Sequence, residues 1–160
     1  MSKAAALLKQ VRFVLVRPQT PGNIGSTARV LTNFGFTSLS LVEPAAALDH
    51  EAVKFAVHGK SLLMKARRCD TLEGAVGGDH VVMGMTRRLG HRRRHHYLTP
   101  EQACAMVRDV VASSRVSILF GPEDDGLSND DLRYCHWLVT IPSPSRHNSM
   151  NLSHAVAVMA

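Results

Sequence analysis

Cysteine is scarce in this chain, and its few residues do not pair by spacing. Cys69, Cys104 and Cys135 are an odd count with no C-x-x-C, which argues against a disulfide framework and a zinc site alike; they read as reduced core or half-buried residues. No apolar run approaches the roughly 18 residues of a membrane span. The apolar stretch before Lys9 is too short for a signal peptide core, so a cytoplasmic, membrane-free protein is expected. Aromatic residues make up 5% of the chain, too few for ring stacking to be the main binding device. Three fingerprints are missing as well. Gly22-Asn-Ile-Gly25 follows a strand signal, but there is no G-x-G-x-x-G, no G-x-x-x-x-G-K-[ST] and no G-x-S-x-G, which leaves dinucleotide, P-loop and serine-hydrolase chemistry without support.

What is present has the size and balance of one globular domain. The 160 residues, 45% hydrophobic and 20% charged, can bury a core without covalent staples, and no repeat or linker divides them. The formal charge of +6 is unevenly placed. Arg87-Arg-Leu-Gly-His-Arg-Arg-Arg-His-His96 holds five arginines and three histidines in ten residues, a density that suits a polyanion because guanidinium presents a planar fork of donors. A solvated loop is the competing explanation. Neighbouring arginines repel a cation, so His91, His95 and His96 are not expected to hold a metal.

Apolar, β-branched runs alternate with helical patterns. Strands are expected at Val11–Val16, Ser38–Val42, His80–Gly84, Val116–Phe120 and Trp137–Ile141. Between them, Asn23 stands where an N-cap belongs for a helix ending at Gly35, Thr99-Pro-Glu-Gln102 has the form of a capping box with proline at the first helical position, and Ser128 caps another helix. Further helices are expected at 50–57 and 71–76, with a weakly patterned stretch between them. The fold class is α/β, a mainly parallel sheet with helices on both faces. Ligands bind at the carboxyl ends of such strands, which singles out the loops after Val16, Gly84, Phe120 and Ile141.

Those loops carry motifs. "NIGSTAR" from Asn23 to Arg29, "FGPEDDGLS" from Phe120 to Ser128 and "IPSPSRHNSMNLSHAVAV" from Ile141 to Val158 resemble, in order and spacing, the three motifs of SPOUT-class RNA methyltransferases. The resemblance is to the TrmH family and within it to TrmJ-type tRNA 2'-O-ribose methyltransferases, and it runs from about Val11 to the last residue. "LVEP" at Leu41 to Pro44, "DTLEGA" at Asp70 to Ala75 and "CHWLVTIP" at Cys135 to Pro142 extend it. The resemblance implies a C-terminal trefoil knot, an exception to un-knotted topology, in a single domain spanning 1–160 without the C-terminal extension of relatives. It implies S-adenosyl-L-methionine as cofactor, tRNA as substrate with an anticodon-loop cytidine or uridine at position 32 as target, and a homodimer. Two neighbouring readings are an rRNA 2'-O-methyltransferase and a catalytically silent RNA-binding SPOUT domain.

By motif matching, the resemblance assigns cofactor contact to Met85, Thr86, Arg87, Gly121, Ile141, Asn148, Ser149 and Met150, and the catalytic group to Arg29, Asn23, Glu123, Ser149 and Asn151. A hydroxyl is a poor nucleophile. Arg29 stays protonated under ordinary conditions, so it is expected to stabilise the developing alkoxide rather than to act as base, with Glu123 anchoring that arginine or a nearby backbone amide. Taken singly, Asn23, Ser149 and Asn151 read equally well as helix caps. Arg92, Arg93 and Arg94 are expected to hold RNA phosphates. The apolar stripe Leu152, Val156 and Met159 is expected at the subunit interface.

Overall fold

A computed structural model of the chain describes residues 3–87, 97–143 and 149–160. Seven strands form one sheet: β1 (Val11–Val16), β2 (Leu39–Val42), β3 (Arg67–Cys69), β4 (Val81–Met85), β5 (Tyr97–Leu98), β6 (Val116–Phe120) and β7 (Trp137–Val139). Their order is β3-β2-β1-β6-β4-β7-β5, and every pairing is parallel. Eight helices accompany them among the described residues: α1 (Lys3–Leu8), α2 (Pro21–Asn33), α3 (His50–Ala56), α4 (Lys60–Met64), α5 (Leu72–Val76), α6 (Pro100–Val110), α7 (Asn129–Leu132) and α8 (Leu152–Met159).

The central strands are buried on both faces, and their side chains alternate between two cores. Phe13 and Leu15 of β1, Met83 of β4 and Ile118 and Phe120 of β6 point to one core, shared with Ile24, Ala28 and Leu31 of α2 and with Leu152, Val156 and Met159 of α8. Val14, Val16, Val82, Leu119 and Leu138 point the other way, onto Leu72, Ala75 and Val76 of α5 and Leu132 of α7. This is the period of two expected of a pleated strand, hidden in the sequence because both faces are apolar. The sheet is wholly parallel, where the sequence supports only a mainly parallel one.

Two strands and two helices have no clear sequence signal. β3 reads Arg-Arg-Cys, with both arginines exposed, and β5 has two residues; both lie at sheet edges, where an apolar run is not required. α1 and α4, six and five residues long, are too short to show a period. Three further expectations are corrected. Asn23 does not cap α2: the helix begins at Pro21 with Thr20 as its cap residue, proline taking the first turn where no amide is needed. Leu152, Val156 and Met159 are buried within the chain's own core, so that stripe does not form a subunit contact. Cys104 is exposed, whereas Cys69 and Cys135 are buried. The other caps hold: Thr99 and Gln102 form a capping box, as do Ser128 and Asp131, and Gly35 ends α2 with φ +82°.

α2 and α3 touch backbone to backbone. A Cβ on Gly25 would lie 2.1 Å from the Ala52 carbonyl oxygen and 3.0 Å from the Ala56 nitrogen, neither of which can yield without moving a helix. Gly25→Ala is therefore expected to destabilise the fold by at least about 2 kcal/mol in urea unfolding. Gly78→Ala, whose methyl meets only the tip of Arg115 at 3.5 Å, should change stability by less than about 1 kcal/mol.

Candidate active site

The carboxyl ends of β6, β4 and β7, three adjacent strands, open onto a cavity of about 350 Å³. Met85, Thr86 and Arg87 line it from β4 and its loop, Phe120 to Leu127 from β6 and its loop, Ile141 and Ser143 from the segment after β7, and Ser149 to Leu152, His154 and Ala155 from the start of α8. Met85, Phe120, Leu127 and Leu152 make the wall apolar, while Glu123, Asp124 and Asp125 give it an acidic side. The loop after β6 folds back on itself. Gly126, at φ +70°, donates its amide to the Pro122 carbonyl at 2.9 Å, and a Cβ on Gly121 would fall 2.2 Å from Leu127 N. Glycine is thus required at 121 by close approach and at 126 by backbone conformation.

A chain of hydrogen bonds joins the three motif segments beside this cavity. Asn151 Nδ2 donates to Asn23 Oδ1 at 2.9 Å, and Asn23 Nδ2 donates to Glu123 Oε1 at 2.9 Å. The same carboxylate accepts the backbone amides of Gln19 and Thr20 at 2.9 and 3.1 Å. Glu123 thereby holds the backbone that leads into α2, whose cap residue Thr20 makes no side-chain bond of its own, and its negative charge stands where the helix dipole favours it. Asn151 meanwhile caps α8, its Oδ1 accepting from Ser153 N at 2.9 Å. Capping and site-building are the same act for Asn151. Burial pushes the Glu123 carboxyl up, but the hydrogen bonds from Asn23, Gln19 and Thr20 outweigh it, and the net shift is below the ordinary 4.5. A second tie lies alongside: the Arg17 guanidinium pairs with Asp131, and burial, which raises the Asp131 carboxyl, is outweighed by Arg17 and Ser128, which lower it.

Of the positions singled out in the sequence, Met85, Thr86, Arg87, Gly121, Glu123, Ile141, Ser149, Met150 and Asn151 line the cavity. Asn23 is behind it, held by two residues that do. Arg29 is not brought there: six residues beyond Asn23, it sits about 120° around the helix, exposed and outside the cavity lining. Glu123 accordingly anchors backbone amides and Asn23, not this arginine. Asn148, Arg92, Arg93 and Arg94 lie outside the described residues. Sequence reasoning misses His154, Ser143, Asp124 and Asp125 in the wall, and Gln19 and Thr20 as partners of Glu123. The signal for His154 is its i, i+3 spacing to Asn151 on the last helix.

Two motif-bearing segments, distant in sequence, thus line one cavity on the sheet's carboxyl edge, and the third is bonded to both through Asn23. Residues 10–160 match the family described as SpoU rRNA Methylase. The chain belongs to the SpoU methylase family. It is 37% identical to the tRNA (cytidine-2'-O-)-methyltransferase TrmJ of Methanocaldococcus jannaschii over 96% of this chain and 66% of that protein. It is 38% identical to the tRNA (cytidine/uridine/adenosine-2'-O-)-methyltransferase TrmJ of Pseudomonas aeruginosa over 96% of this chain and 60% of that protein. Among solved structures, TrmJ from Z. mobilis ZM4 superposes with a TM-score of 0.85 at 34% identity, covering 92% of this chain and 66% of that one. The chain therefore spans about 60–66% of the length of these SpoU relatives.

The carboxylate network makes a pH prediction. Because Glu123 sits below its ordinary value in the folded protein, its contribution is present above the ordinary 4.5 and is lost as pH falls through the lowered folded value. Thermal melts from about pH 7 to about pH 3 should show wild type more stable than Glu123→Gln at neutral pH, with the gap closing on acidification below that value. A gap that stays constant with pH would contradict the network.

Proposed function

We propose that this chain is the catalytic domain of an S-adenosyl-L-methionine-dependent tRNA 2'-O-ribose methyltransferase, a single domain over 1–160. The observation that carries the reading is the bonding of the three motif segments to one another beside one cavity, in a chain 37–38% identical to two TrmJ enzymes. The residues present fit the cofactor. The Met85, Phe120 and Leu127 wall suits its apolar and flat parts, Gly121 lets backbone approach closely, and Glu123, Asp124 and Asp125 supply negative potential for its cationic groups. Thr86, Arg87, Ile141, Asn148, Ser149 and Met150 complete the holding set. Bound there, S-adenosyl-L-methionine supplies an electrophilic methyl on a sulfonium.

The rest is the work of this chain's residues. Asn23, Glu123 and Asn151 fix the relative position of the three segments, so that a ribose 2'-hydroxyl and the methyl can be held in line. Ser149, on the cavity wall, orients the ribose or the cofactor carboxylate. Arg29 stays cationic and stabilises the developing alkoxide. Its exposed position outside the cavity lining, without a hydrogen bond or ion pair among the described residues, supports a homodimer in which a second copy delivers it. Arg92, Arg93 and Arg94 hold RNA phosphates next to the strand end. A C-terminal trefoil knot belongs to the same proposal. The target is an anticodon-loop cytidine or uridine, position 32, and the setting is the cytoplasm.

Incubation of the protein with labelled cofactor and bulk tRNA, followed by mapping of the ribose methyl, tests this reading. Label on tRNA at one anticodon-loop residue is expected; label on rRNA alone would replace the substrate, and binding without transfer would mark a silent RNA-binding domain. Arg29→Ala should lower methyl transfer on the order of a hundredfold or more while cofactor affinity and melting temperature stay close to wild type. Sedimentation should show a dimer, and a fully active monomer would remove the second copy from the mechanism.

A further inference from the structure

The excess positive charge of this chain is confined to two stretches. One is the arginine-rich stretch beginning at Arg87. The other runs from Lys54 to Arg68 and holds Lys54, Lys60, Lys65, Arg67 and Arg68 with no Asp or Glu between them. Outside these two stretches nine Lys and Arg face thirteen Asp and Glu, so the remainder of the molecule is acidic. In the structure the second stretch is one unit, the end of α3 through α4 to β3, and all five cations are exposed. Elsewhere Arg12, Arg17 and Arg133 are ion-paired; among the described residues none of these five is. Arg67 donates only to the Gly74 carbonyl at 2.9 Å. Phe55, Val57 and Met64 are exposed among them. Gly59 of the same unit rests on the backbone of Ala28 and Arg29, which places the unit beside α2.

We propose that the Lys54–Arg68 unit is a second RNA-binding surface, contacting the phosphate backbone of the substrate away from the nucleotide that reacts. The inference rests on the tRNA reading above. A patch of unpaired cations on a body that is acidic outside the two basic stretches attracts a polyanion. Within one chain its distance fits a remote contact: β3 lies three strand spacings from β6, about 14 Å, so the patch is set apart from that chain's own cavity and can hold the paired region that flanks the reacting nucleotide. Exposed apolar side chains between the cations add surface against which a sugar face can rest.

The test is Lys54→Gln, Lys60→Gln and Lys65→Gln together, in the full chain. Every phosphate that a lysine no longer neutralises takes roughly 0.7 to 0.9 off the log-log dependence of binding on salt, so the triple variant should flatten the slope for full-length tRNA by about two. Its kcat/KM on tRNA should drop on the order of tenfold at moderate salt, while a short stem-loop carrying only the methylated nucleotide and its flanking pairs is methylated within about twofold of wild type. Melting temperature and cofactor affinity should stay unchanged, since no ion pair is broken. An unchanged slope overturns the proposal, as does an equal loss on both RNAs. A shift in sedimentation with unchanged RNA binding also overturns it and makes the patch a subunit contact. If wild type methylates neither RNA, the reading of the reaction fails, whereas the salt slopes of tRNA binding for wild type and variant still decide the patch.

Discussion

The carboxylate of Glu123 is the constraint on which the site depends. It sits on a loop with no regular structure, yet it accepts the backbone amides of Gln19 and Thr20 just before α2 and the side-chain amide of Asn23 within it. Through these bonds Glu123 couples the position of the β6 loop to that of a 13-residue helix, and through Asn23 and Asn151 to the entrance of α8. The cavity wall is thereby tied to the longest described helix of the fold rather than left to a loop's own stiffness.

The all-parallel sheet supplies the other half of the arrangement. Parallel strands place all their carboxyl ends along one edge, so loops far apart in sequence must share that edge. At β1 and β2 the exit is sharp: Arg17 and Glu43 follow directly and adopt φ of +48° and +43°, a region unfavourable for residues with a Cβ. Their side chains approach to 3.7 Å, and Arg17 is held further by Asp131. Such conformations persist where surrounding bonds over-determine them, and here the Arg17 amide still reaches the Val42 carbonyl at 2.8 Å.

Much of this is legible in the residues. The five strands with apolar runs, the capping boxes at Thr99 and Ser128, and the loops that bear the cavity can all be read from pattern, because burial on both faces and orphan helix amides leave local signatures. What cannot be read depends on distant partners. Asn23 has the look of a cap because asparagine before an apolar helical pattern usually is one; its side chain instead bonds a carboxylate 100 residues away, and no local window contains that partner. Arg29 is grouped with the cavity by motif, but helical phase turns it elsewhere. The edge strands β3 and β5 escape because an edge asks little of side chains, and a reading built on hydrophobic period has nothing to detect there.

The bond between Asn151 and Asn23 spans 128 residues, and that separation has a temporal meaning. Chains are synthesised at roughly 5 to 20 residues per second, so α2 emerges on the order of ten seconds before the helix that completes its wall. Over that interval β1 and α2 can begin to pack, but the cavity has no fourth side and nothing can be held in it. The wall that α8 gives the cavity is therefore supplied only after nearly all of these residues have emerged.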